Sequence, residues 1–86
     1  MAAASILTTG STSASSSDIT LTAAFTLVAL KAAASDAVVF VEAKDDGGAY
    51  VVIDRLTSGR VSMMLPPGIY RFRRPAGISC GVFQAA

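Results

Sequence analysis

Ala37–Lys44 (AVVFVEAK), Asp45-Asp46-Gly47-Gly48 and Ala49–Leu56 (AYVVIDRL) follow one another without interruption, and these twenty residues decide the fold. Both flanking runs are rich in Val, Ile, Phe and Tyr, side chains that fit the half-buried surface of a sheet. The four residues between them are turn formers, with glycines to supply the positive φ angles a tight turn requires. The stretch therefore predicts two strands joined by a β-hairpin.

Outward from the hairpin, turn signals recur about every 8–12 residues, the spacing of an all-β domain. Thr57-Ser58-Gly59 is a second turn, followed by Arg60–Leu65 (RVSMML), with Val61, Met63 and Leu65 on one face. Pro66-Pro67-Gly68 is a third, and proline excludes a central strand there. Ile69–Arg74 (IYRFRR) alternates, with Tyr70 and Phe72 facing one way and Arg71 and Arg73 the other. After Pro75-Ala76-Gly77, Ile78–Phe83 (ISCGVF) puts Ile78, Cys80 and Val82 in phase.

Toward the N-terminus, Ile19–Lys31 (ITLTAAFTLVALK) admits two readings. Leu21, Phe25 and Val28 fall at helical spacing behind a possible Asp18 N-cap. The threonines favour strands instead, and the preferred reading is two of them, Asp18–Thr22 and Phe25–Leu30. Thr8–Ser17 (TTGSTSASSS) has no periodicity and reads as a loop or extended arm. The expectation is an all-β chain. Residues 1–17 form an extended N-terminal arm, and residues 18–86 a single domain. That domain is a compact antiparallel β-sandwich or small barrel of about six to eight short strands.

An 86-residue chain is one domain, and its core is small enough to make a lone monomer marginal. It is 52% hydrophobic and only 15% charged, against about 25% charged in an average domain. So weakly charged a surface favours assembly with a partner. With no His and one Cys, the chain holds no His-based site, Cys-His dyad, zinc-finger spacing or internal disulfide. No basic n-region precedes an apolar run, as a secretory signal requires. Ile19–Ala34, interrupted by threonines and Lys31, falls short of the ~20 apolar residues of a spanning helix. No membrane partner is expected, and the single Cys80 fits synthesis in a reducing cytoplasm.

Charge is divided along the chain. Up to Asp54, six acids (Asp18, Asp36, Glu42, Asp45, Asp46, Asp54) face only Lys31 and Lys44. From Arg55 onward there is no acid, and Arg55, Arg60, Arg71, Arg73 and Arg74 supply all the charge. Three readings stand. Arg71 and Arg73 pair with Glu42 or Asp54 on a neighbouring strand; the basic half meets an acidic surface on another subunit; or Arg71-Phe72-Arg73-Arg74 is a nucleic-acid-binding strand. A net charge of +1 argues against the last, because phosphate neutralisation dominates nucleic-acid affinity.

Little in the chain points to chemistry. Asp45-Asp46 lacks the spaced oxygens of a calcium loop and suits a solvated turn. Cys80, with no basic neighbour in sequence, reads as a small buried hydrophobe. Met63-Met64 puts one thioether on each face of a strand, one in the core and one on the surface. No titratable pair is placed as acid and base. No catalytic residue, cofactor or metal site is assigned, and an enzyme is not expected.

The segment Leu65-Pro66-Pro67-Gly68-Ile69-Tyr70-Arg71-Phe72-Arg73-Arg74-Pro75 runs from a proline-glycine turn into an aromatic-arginine strand. With the final Gly81-Val82 strand and the Glu42–Tyr50 hairpin, it resembles small virion structural proteins of tailed bacteriophages, such as capsid decoration (cement) proteins and head or tail accessories. The resemblance spans roughly Ala37 to Phe83. It implies a β-rich, non-catalytic module, made in the host cytoplasm and present in many copies on the virion. Its partner would be the major capsid protein or another virion protein. Homo-oligomeric contacts, as in a trimer, are expected, with the interface on Ile6, Leu7, the Thr8–Ser17 arm, Arg60, Arg71, Arg73 and Arg74. A tail or head-tail accessory is one alternative, and a small nucleic-acid-binding barrel another.

Overall fold

The computed structural model describes residues 4–33, 35–77 and 79–85. Nine strands, and no helix, make up the described chain. They are β1 (Ala4–Gly10), β2 (Ala14–Ser15), β3 (Ile19–Leu21), β4 (Thr26–Lys31), β5 (Val38–Lys44), β6 (Tyr50–Thr57), β7 (Ser62–Leu65), β8 (Gly68–Arg74) and β9 (Cys80–Gln84). Two sheets form, in the orders β1-β9-β4-β7 and β2-β8-β5-β6, with β3 also paired to β8. Every pairing is antiparallel. The two sheets form a small β-sandwich, as the regular turn spacing predicted.

The Asp45–Gly48 hairpin forms where expected and has an explicit mechanism. Gly48 N–H donates to Asp45 O, Gly48 takes φ +85°, and Asp45 N–H donates to Ala49 O. This is a three-residue loop closed by a left-handed residue, a conformation glycine adopts without steric cost. The Asp45 carboxylate accepts from Gly47 N and Ala49 N at 2.9 and 2.8 Å, so this acid serves the turn. The helical alternative for Ile19–Lys31 is not realised. The segment divides into β3 and β4 around Thr22–Phe25, because β4 satisfies its backbone between β7 and β9.

The core lies between the sheets and follows the period-2 alternation of the strands. Val39 and Val41 of β5, Tyr70 and Phe72 of β8, Met63 and Leu65 of β7, and Cys80 and Val82 of β9 point inward. Met64, beside Met63, is exposed as expected. Val61 does not join Met63 and Leu65: it precedes β7 and is 48% exposed. Ile78 lies outside the described residues. Burial pushes the Cys80 thiol pKa up, against a smaller opposing field from Arg74. Cys80 should therefore resist iodoacetamide in the native chain and react on unfolding. Mass spectrometry at increasing urea checks this, and rapid native labelling would contradict the packing.

The N-terminal third departs from expectation. Thr8–Ser17 is not a free arm. β1 pairs with β9 along the edge of one sheet, and β2 and β3 pair with β8 along the edge of the other. The gap between β2 and β3 is bridged at buried Ser16. Its N–H donates to Phe72 O, and its hydroxyl accepts from Phe72 N at 3.0 Å. Serine can imitate a ladder partner in this way, which composition does not disclose.

Candidate interaction surfaces

Two surfaces stand out. The first is the outer face of β5, β6 and β8. Strand register places Phe40 opposite both Arg73 and Arg55, and Glu42 opposite Arg71 and Val52. One carboxylate fixes two guanidinium groups. Arg71 Nε donates to Glu42 Oε1 at 2.7 Å, and Arg73 Nε to Oε2 at 3.0 Å. Arg71 lies over the Tyr50 ring at 3.7 Å and Arg73 over Phe40 at 4.7 Å. The Tyr50 hydroxyl donates to Asp18, which also pairs with Lys44 at 3.2 Å. The hydrogen bond from Tyr50, then that from Lys44, hold the Asp18 carboxyl below its ordinary pKa.

The pairing of Arg71 and Arg73 with Glu42 is thus one of the arrangements read from the sequence. Asp54 instead pairs with Arg60 at 3.0 Å. Burial opposes ionisation of Glu42, but the hydrogen bonds from Arg71 and Arg73 outweigh it, so its pKa lies below the ordinary glutamate value. A depressed carboxyl pKa contributes stability that is present above the unfolded-state value and lost as pH falls through the folded one. Glu42→Gln should cost about 1–3 kcal/mol at pH 7, and that deficit should shrink toward pH 3. Urea titrations across this range check it, and parallel stability curves for the two proteins would contradict it.

The second surface is apolar. Eight large hydrophobic side chains are exposed among the described residues, and all but Ile69 lie on or beside β4, β6 and β7. Val51, Val52 and Ile53 are consecutive on β6, the edge of its sheet. Leu27 and Met64 are cross-strand partners on the other sheet, with Phe25 and Val61 nearby in sequence. Sequence reading saw Val51–Ile53 as ordinary strand residues, since strand position within a sheet is a property of topology.

The residues expected at an interface separate into two groups. Arg71 and Arg73 remain half-exposed and Arg60 is exposed. Ile6 is partly buried and packs on the core. Leu7 and Arg74 are corrections: they are 5% and 3% exposed and belong to the interior. Leu7 enters the core where β1 pairs with β9, opposite Val82. Arg74 is in phase with Tyr70 and Phe72, and its guanidinium donates to Thr8 O, Thr12 O and Cys80 O, each at 2.8 Å. Strand alternation, carried one residue past Arg73, is the signal that marks Arg74 as inward.

No group of three metal-ligating side chains occurs among the described residues. Compared with protein-family models, curated proteins and solved structures, the chain matches none.

Proposed function

We propose that this chain is a non-enzymatic structural protein that acts by assembly, a decoration or cement protein bound to the surface of a virion capsid. One observation carries the assembly reading. Seven of the eight exposed large apolar side chains lie on or beside β4, β6 and β7, and exposed apolar surface of this kind marks interaction sites. The divided charge and the resemblance to phage virion modules support the more specific role. A module of this kind stabilises a shell through modest contacts that symmetry repeats many times. Its head or tail location is open to the same test. Quantitative mass spectrometry of purified particles should find the chain in stoichiometric, symmetry-related copy number, and its absence from them would end the virion reading.

A second reading rests on Arg55, Arg71 and Arg73 sharing a face with Phe40 and Tyr50. It makes the face a single-strand nucleic-acid platform. Against it, Arg71 and Arg73 themselves cover the aromatic rings that bases would use, and Glu42 offsets part of their charge. Nucleic acid should leave the chain unshifted in a low-salt gel assay, and a shift that weakens steeply with salt would favour the platform.

A further inference from the structure

The free edge of β6 has a definite extent. Asp45 and Ala49 close the hairpin with a backbone hydrogen bond. Antiparallel ladders alternate bonded and non-bonded pairs, so Lys44–Tyr50 and Glu42–Val52 are non-bonded pairs. The N–H and C=O groups of Tyr50 and Val52 consequently point away from β5. Beyond the bulge between Val41 and Glu42 the edge-facing N–H groups are engaged. The Asp54 carboxylate accepts the Arg55 N–H at 2.8 Å. Thr57 exchanges both its backbone bonds with Arg60 at 3.0 Å. What remains open is Tyr50–Ile53, an uncharged β-branched and aromatic segment.

We infer that a second copy of this chain docks there, β6 against β6 about a two-fold axis at Val51, joining the two β2-β8-β5-β6 sheets. This deepens the assembly reading by naming the partner. Reversing the strand about Val51 places Tyr50 opposite the partner's Val52, and Val52 opposite the partner's Tyr50. The open groups then match in four hydrogen bonds, and the two Val51 side chains meet on the axis. The same register brings Arg55 opposite Gly47 of the partner subunit, beside the turn that carries Asp45 and Asp46. Arg55 has no acidic partner in its own chain, and Asp46 no basic one, among the described residues. The charge division along the sequence becomes complementary across the axis, which commits the edge to a second copy rather than to a foreign strand.

Sedimentation equilibrium and amide exchange on the full chain test this. The wild type should have twice the monomer mass of 8.7 kDa, or an even multiple of it. Its Tyr50 and Val52 amides should be protected in proportion to dimer. Val52→Pro removes an edge-facing donor and leaves the β5 ladder intact. It should raise the dissociation constant about tenfold or more through loss of two of the four bonds. Asp46→Arg and Arg55→Glu should each weaken association, and the double variant should restore it. A monomeric wild type, a folded V52P chain of unchanged mass, a double variant no tighter than its parents, or unprotected Tyr50 and Val52 amides in a dimer would each overturn the pairing. A monomeric wild type that still enters particles would overturn the pairing but leave the capsid reading standing; an intact dimer from a source whose particles lack the chain would do the reverse.

Discussion

Arg74→Met lowers the stability of the chain by about 3–5 kcal/mol, a cost like that of breaking a buried charged group's contacts. The guanidinium is buried, makes no ion pair with a carboxylate among the described residues, and is held by three carbonyls at 2.8 Å. Methionine keeps a long unbranched stem but removes every donor, leaving Thr8 O, Thr12 O and Cys80 O without that partner. Hydrogen bonds from a charged donor contribute more than neutral ones, roughly 1.5–3 kcal/mol each before non-additivity. A domain of this size has only about 4–13 kcal/mol in total, so the variant should melt roughly 15–30 °C lower. Arg74→Lys retains the charge without the planar fork and should recover part of the loss. The carbonyls belong to β1, to the β1–β2 connection and to β9. Amide exchange should therefore accelerate first over residues 4–15 and 80–84. Thermal unfolding within about 1 kcal/mol of wild type would show the fork to be dispensable.

Gly81→Val is expected to cost about 3 kcal/mol, the upper end of the range for overpacking. A Cβ at this position would lie 2.8 Å from Leu7 O, 2.8 Å from Thr9 Oγ1 and 2.9 Å from Lys31 Cε. Lys31 can swing aside, but Leu7 O is backbone, so β1 or β9 must move. β1 passes this point with two register irregularities, between Ser5 and Leu7 and between Leu7 and Gly10. Those bulges let it lie close over a residue without a side chain. Displacing β1 also withdraws Leu7 from the core. Gly81→Ala should show the same effect at smaller size. Denaturant titration with residue-resolved exchange checks the pair. A valine variant as stable as wild type, or one that loosens β5 and β6 before β1, would contradict the close approach.

These two residues mark what could and could not be read from the chain. Phe72 and Tyr70 are interior because a strand alternates and Arg71 and Arg73 take the other face, a period of two visible in sequence. Val38–Val41 is apolar throughout, so that Val39 and Val41 are the inward pair is decided by the sheet. Gly81 appeared only as a strand glycine, since β1, whose Leu7 and Thr9 crowd it, lies at the other end of the chain. Of the candidate surface, Arg71, Arg73 and Glu42 were legible as a charge pairing, because two outward arginines need an acid within reach. Tyr50 and Phe40 beneath those arginines were not, since register decides which rings meet which cations.

Local chemistry in the amino-acid sequence determined the all-β class, the hairpin at Asp45–Gly48 and the alternation of Tyr70 and Phe72 against Arg71 and Arg73 on β8. Turn propensity, β-branching and alternation act over a few residues and need no partner. Tertiary structure alone decided that Thr8–Ser17 becomes sheet rather than arm, and that Arg74 is a buried staple. It also decided that Val51–Ile53 lies on an open edge. Each depends on contacts between segments far apart in the chain: a serine-rich stretch gains no local energy from extension, but gains hydrogen bonds once β8 and β9 are beside it.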